Sequence, residues 1–247
     1  MTKPLEHNLQ LSPDSTVDDF CKACSEGYLD LAKCLVLKFG LTSDDVRKNA
    51  NRAFRYACSN GHLDVAKWMT DQFKLTITDS QSVGNYAFRF ACSNGHLDVV
   101  KWMADEFKLN SVDAKNVNYA FHFACYEGHL ELVKWLIDTF EIDNSFVTVD
   151  MFTNICKHMD ILQFIIQRYQ LSAETYSKVH MWCWCGLITS ACERENVFIV
   201  SWLITNFPDR DIPEYCKEFV QKVRKDNEID IMIKPATKQV LSSYVSQ

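Results

Sequence analysis

A cysteine recurs at Cys24, Cys58, Cys92 and Cys125, in steps of 34, 34 and 33 residues, and it carries a fixed neighbourhood with it. The copies read Phe20, Ala23, Cys24, Gly27, Leu29, Lys33; then Phe54, Ala57, Cys58, Gly61, His62, Leu63, Lys67, Trp68; then Phe88, Ala91, Cys92, Gly95, His96, Leu97, Lys101, Trp102; then Phe121, Ala124, Cys125, Gly128, His129, Leu130, Lys134, Trp135. Two worn copies follow. One runs Phe152, Cys156, Asp160, Phe164, Tyr169, and the other Ile188, Ala191, Cys192, Asn196, Val197, Trp202, Phe207. A period of this length means stacked supersecondary units rather than one irregular core.

Each copy reads as two helices. Phe, Ala and Cys at i, i+3 and i+4 make one apolar stripe. The turn glycine after them ends the helix in a left-handed cap. The second helix then offers Leu63, Trp68, Met69 and Phe73 as its buried face, with Asp64, Lys67 and Asp71 outside. Helices this short are marginal alone in water, so the copies must bury one another's stripes. The connectors Leu41-Thr42-x-x-Asp45, Leu75-Thr76-x-x-Asp79 and Leu109-Asn110-x-x-Asp113 repeat as well. Thr or Asn three residues before an acid suits a capping box and predicts a short helical turn there. The fifth copy lacks about two residues, including the glycine, between Cys156 and Asp160. The stack is expected to bend or loosen at that point.

Composition agrees. The 247 residues hold 7 Gly and 5 Pro, well below the average share of about 12%. So few turn residues argue against hairpin-rich β structure. The net charge of −6 lacks the basic excess of a nucleic-acid binder. No apolar run of about 18 residues exists to span a membrane, and no secretory leader is visible at the start. Eleven cysteines in a long chain without such a leader fit a reduced, cytoplasmic setting better than a disulfide framework.

The string Gly-His-Leu-Asp/Glu-Val/Leu-x-Lys at Gly61, Gly95 and Gly128, preceded by Ala-Cys, resembles the second-helix signature of ankyrin repeats. The tetratricopeptide family shares the period, but its Trp-x-x-Leu-Gly opening is absent. The ankyrin Thr-Pro-Leu-His opening is absent too; Asn85-Tyr86-Ala87-Phe88-Arg89 stands in its place. This variant is similar to arrays encoded by large DNA viruses of amoebae and by some protists. The resemblance implies an all-α solenoid of about six ankyrin-like helix-turn-helix repeats, with short helical turns in place of β-hairpin fingers. It also implies a non-enzymatic role in protein binding through a concave face, with a host protein as one conceivable target. The expected divisions are an N-terminal arm over 1–16, the array over 17–207, and a capping helix with a tail over 208–247.

Catalytic constellations are single, whereas every prominent residue here is periodic. His62, His96 and His129 therefore read as structural, and the repeated cysteines as small buried hydrophobes. No Gly-rich phosphate loop or nucleophile elbow stands in the chain. No catalytic residue and no cofactor is expected. Binding residues are sought where similar copies differ. Arg52, Arg55, Arg89 and His122 lie beside the core phenylalanines, and Ser59, Asn60, Ser93, Asn94, Tyr126 and Glu127 lie at the ends of the first helices. Arg47 and Lys48 add to a local positive cluster with Arg52 and Arg55. Tyr56, Phe90 and Phe123 either extend this strip or belong to the core.

The expected product is a monomeric adaptor for a protein partner, with no nucleic acid and no membrane involved. A structural or assembly component is the alternative, and a zinc- or thiol-dependent enzyme the third reading. Zinc would need His180, Cys183 and Cys185. Cys-x-Cys is not the usual clamp, however, and a fourth ligand is not evident. Metal analysis of purified protein should therefore find less than about 0.1 equivalent of zinc.

Overall fold

The structure is a computed structural model that describes residues 13–109, 114–147, 151, 155, 158–171, 181–208 and 210–225. Side chains 13–15, 114–116, 146, 181–183 and 185 fall outside the description. No strand occurs among the described residues. The chain divides into two compact units, Met1–Ile142 and Asp143–Gln247.

The first unit is a stack of four helical hairpins. Their inner helices are α1 (Pro13–Ser25), α3 (Ser43–Ser59), α6 (Ser82–Ser93) and α8 (Ala114–Glu127). Their outer helices are α2 (Leu29–Phe39), α4 (Leu63–Phe73), α7 (Leu97–Glu106) and α9 (Leu130–Phe140), and a short α5 (Ile77–Ser80) lies in a connector. Inner helices pack in sequence, α1 on α3, α3 on α6 and α6 on α8. The predicted stripe is buried throughout: Phe20, Phe54, Phe88 and Phe121, the alanines three residues on, and Cys24, Cys58, Cys92 and Cys125. Burial pushes all four of these thiols up from their ordinary pKa, so they stay protonated and inert. The outer helix buries Val65, Ala66, Met69 and Phe73, while Leu63 and Trp68 sit half-buried at its flanks. Trp68 is wide enough to reach the preceding hairpin from that flank.

That reach sets the register between hairpins. Phe20 meets Trp68 edge-on at 6.4 Å and Phe73 at 6.1 Å; Phe54 meets Trp102 and Phe107 at the same distances. Phe88 meets Phe140 at 6.1 Å. Each contact puts a positive ring edge on a negative ring face, contributing about 0.5–1.5 kcal/mol beyond area burial. A second ladder runs along the turns. His62 Nε2–H donates to the Ser25 carbonyl at 3.0 Å, His129 Nε2–H to that of Ser93 at 2.8 Å, and His96 bonds Ser59 likewise. Asn60 and Asn94 donate to the same carbonyls of Ser25 and Ser59. Gly61 has φ +83°, and a Cβ there would lie 2.5 Å from the His96 ring. Glycine thus answers both the left-handed turn and the next hairpin's imidazole.

The connectors are helical, as their sequence predicts. Thr42 with Asp45 and Thr76 with Asp79 form complete capping boxes. The third connector, Asn110 to Asp113, lies outside the described residues. After the box comes a feature the sequence does not announce. Asn49, Ala50 and Asn51 all adopt φ near +55°, as do Val83, Gly84 and Asn85. Each triplet is one left-handed turn that re-aims the chain into the inner helix. Non-glycine residues there cost roughly 1–2 kcal/mol each, and polar bonds offset the cost. Buried Asn51 donates to the backbone carbonyl and the carboxylate of Asp79 in the next connector. Arg47 grips the same carboxylate through Nε at 3.0 Å and a terminal nitrogen at 3.2 Å. Burial alone would raise the Asp79 pKa, but bonds from Arg47, Thr76 and Asn51 outweigh it and hold the carboxyl below its ordinary value.

The second unit holds a 3-10 turn (Asn144–Phe146), then α10 (Met159–Tyr169), α11 (Met181–Glu193) and α12 (Val197–Asn206). A 3-10 turn (Glu214–Cys216) leads into α13 over 217–225. The sixth copy keeps the hairpin turn with other residues. Glu195 takes the glycine's place at φ +49°, and Asn196 takes the histidine's place and caps α12 by accepting the Ile199 amide at 3.0 Å. Trp202 Nε1–H donates to the Leu171 carbonyl, and Trp184 Nε1–H to that of Asp211, both at 2.9 Å. Cys216 of the turn and Val220 and Val223 of the last helix are buried; Tyr215 faces outward, its hydroxyl on Thr189. Cys156 and Lys157, where a bend is expected, lie outside the described residues.

Two predictions follow from these turns. Burial holds the His96 pKa below its ordinary value, ahead of the opposing Asp98 and the Ser59 hydrogen bond. The fold holds neutral imidazole, so the unfolded chain takes up the proton first. Stability is full above about pH 6.5 and falls as pH drops through the lower folded value. Thermal melts should therefore lose midpoint between about pH 7 and 5, with a shallower slope in His96→Gln. Glu195→Gly should raise stability by about 1 kcal/mol in denaturant titrations by removing a left-handed non-glycine residue.

Candidate partner-binding surface

The inner helices of the first unit carry a second set of rings opposite the buried phenylalanines. Tyr56 meets Tyr86 edge-on at 6.1 Å, Tyr86 stacks on Phe90 at 4.0 Å, and Phe90 stacks on Phe123 at 6.4 Å. All four are half-buried, one or two per hairpin. Arginines lie against the rings: Arg55 is 4.9 Å from the Tyr86 centroid, and Arg89 is 5.1 Å from Tyr119 and 5.7 Å from Phe123. Arg52 lies 5.8 Å from Tyr56. Tyr119 and Tyr126 are the exposed rings of this run, at 56% and 43%. Ring faces attract guanidinium, and stacked arginine keeps its N–H edge available for acceptors.

The arginines also serve the fold. Arg55 donates to the carbonyls of Ala50 and Asn49, and Arg89 to that of Gly84, so each holds a left-handed turn. The two sites differ in one donor. Arg55 Nε bonds Ala50 at 2.7 Å, whereas Arg89 Nε makes no hydrogen bond among the described residues.

The residues singled out by variation between copies therefore have distinct fates. Arg52, Arg55 and Arg89 join the aromatic run, with Arg52 also paired to Asp18 at 3.0 Å. Ser59 is buried, and Asn60 and Asn94 bind the preceding hairpin. Ser93 gives its carbonyl to His129. His122 is half-buried against Phe121, and Tyr126 and Glu127 are exposed at the end of α8. The positive cluster is dispersed, since Arg47 pairs with Asp79 and Lys48 with Asp45. Tyr86 and Tyr119 were not singled out by sequence reasoning; an aromatic one helical turn before Phe90 and Phe123 was the available signal.

Among the described residues no group of three His, Cys, Asp or Glu side chains converges to hold a metal. His180 and the side chains of Cys183 and Cys185 fall outside the description. Cys192 and Cys216 lie together, and burial followed by Cys216 pushes the Cys192 thiol up to about 12, away from nucleophilic use. No described helix is long and apolar enough to cross a membrane.

Hairpins of this length, stacked through a repeated Phe–Trp register and a Gly–His turn, define a helical repeat protein. The family model described as ankyrin repeats (3 copies) matches residues 71–150 and 88–175. Over these residues the chain is similar to ankyrin repeats. No curated protein matches the sequence. Among solved structures, the human ASB11 ankyrin repeat domain is 16% identical, with a TM-score of 0.48 over 86% of this chain and 98% of its own. An ankyrin repeat family protein from Legionella pneumophila is also 16% identical, with a TM-score of 0.44 over 84% of this chain and 68% of its own. Ankyrin repeats typically serve as protein–protein interaction modules and are generally non-enzymatic.

Proposed function

We propose that the protein is a non-catalytic adaptor that binds a protein partner along the aromatic–arginine run of α3, α6 and α8. The observation that carries this reading is the continuity of Tyr56, Tyr86, Phe90 and Phe123, flanked by Arg55 and Arg89 and ending in exposed Tyr119 and Tyr126. Tyr and Arg dominate interface hot spots because they offer large contact area with directed hydrogen bonding. The rings are already stacked, so little side-chain entropy remains to be lost on association. A segment with apolar side chains for the rings and carboxylates to meet the arginines suits the surface. The eight described cysteines are all free, which suits action in a reducing cytoplasm.

Affinity capture with mass spectrometry, followed by titration of the purified partner, tests the assignment. Tyr119→Ser with Tyr126→Ser should leave the melting midpoint within about 2 °C, because both rings are exposed. It should weaken the partner at least tenfold. A partner that binds the double variant as tightly as the wild type places the interface elsewhere and overturns the proposal.

A further inference from the structure

The outer helix of the first hairpin is unlike the other three. On α2 and the residue that precedes it, Tyr28, Leu31, Leu37 and Phe39 are exposed, Leu37 by 84%. A groove of about 1000 Å³ runs along the helix, lined by Tyr28, Leu31, Cys34, Leu35, Lys38 and Phe39, with Asp64 of α4 at its edge. The repeat register accounts for part of this face. Leu31 and Phe39 correspond to Val65 and Phe73, Val99 and Phe107, and Leu132 and Phe140, all buried. Leu37 is different, because its counterparts Asp71, Asp105 and Asp138 are exposed acids. A missing stacked hairpin would not call for leucine there, since stacking leaves that position in solvent three times over. A body lying across α2 itself would cover it.

The pattern on the face indicates what that body is. Asp30, Cys34 and Lys38 form one i±4 ridge, and all three are exposed. Leu31 and Leu37 flank the ridge, three residues to either side of Cys34. Reversed end for end about Cys34, the ridge places a cation where it had an anion and leucine where it had leucine. Ridge-into-groove packing of i±4 rows crosses two helices at about 50°, and it brings such ridges side by side. In the antiparallel sense Asp30 of each copy meets Lys38 of the other, both leucine pairs are covered, and the two Cys34 side chains approach the two-fold axis. Such a self-complementary patch is the mark of an isologous interface. We infer that α2 is the contact of a two-fold homodimer, two copies of this chain packed antiparallel along Asp30, Cys34 and Lys38. The inference is independent of the partner surface on the inner helices.

Sedimentation equilibrium of the full chain from about 1 to 200 µM tests it. The mean mass should rise from 28.6 kDa towards twice that value. Leu31→Asp with Leu37→Asp should remain monomeric throughout, with helix content unchanged because both side chains are exposed. Asp30→Lys or Lys38→Asp alone should weaken the dimer about tenfold, since each breaks both cross-pairs. The two together should restore it to within about threefold. A short thiol cross-linker should trap the wild-type dimer and fail with Cys34→Ser. A monomer at every concentration overturns the inference, whatever else covers α2. A dimer that survives the leucine changes, or one that the double charge reversal does not restore, overturns it equally.

Discussion

The edge of a phenylalanine ring in one hairpin, seated against the tryptophan and phenylalanine of the next, holds the first unit in register. Phe20 and Phe54 each make two such contacts. Removing such a ring would cost about 3–5 kcal/mol, a large share of the stability of any small stack. Because the contact always joins neighbours, stability accrues hairpin by hairpin. The inner helices of this unit pack each on the next in sequence. A surface built on this stack inherits its spacing, and that is why the second run of rings, Tyr56 through Phe123, also advances hairpin by hairpin.

Polar groups do the finer alignment. Asp79 caps its own connector and receives Arg47 and Asn51 from the hairpin before it, so one carboxylate fixes a local turn and a long-range contact. The left-handed triplets would be poor structure alone. They persist because Asn51 is buried against Asp79 while Arg55 and Arg89 hold the emerging carbonyls. The arginines that supply charge to the inner surface are thus the clamps of the backbone beneath it. Replacing Arg55 or Arg89 tests two things at once, whereas the exposed rings of Tyr119 and Tyr126 leave the carbonyl clamps in place.

Much of this was legible in the sequence, for identifiable reasons. The Phe-Ala-Cys stripe, the turn glycines and the capping boxes depend on residues close in the chain, and repetition displays them several times. The outer helix was read less well. Trp68 belongs to its flank, and Val65 and Ala66 do the burying. Width let the indole reach the neighbouring hairpin, which a hydrophobicity count cannot register. The candidate strip was half legible. Its arginines stood out as variable positions, but their carbonyl partners at Asn49, Ala50 and Gly84 depend on a left-handed turn marked only by Asn and Gly, residue types common to ordinary turns. Asn60 and Asn94 read as free surface because their acceptors lie 35 residues away.

The glycine and histidine of the turn form a pair divided between two hairpins. Gly27 leaves the space that the ring of His62 fills, Gly61 that of His96, and Gly95 that of His129. Neither member can change alone without a clash or a lost bond to the serine carbonyl. Adding or deleting one whole hairpin, by contrast, leaves every remaining pair matched. Such an array is built to evolve by recombination in units of about 34 residues, with drift at the glycine and histidine held back by the neighbour.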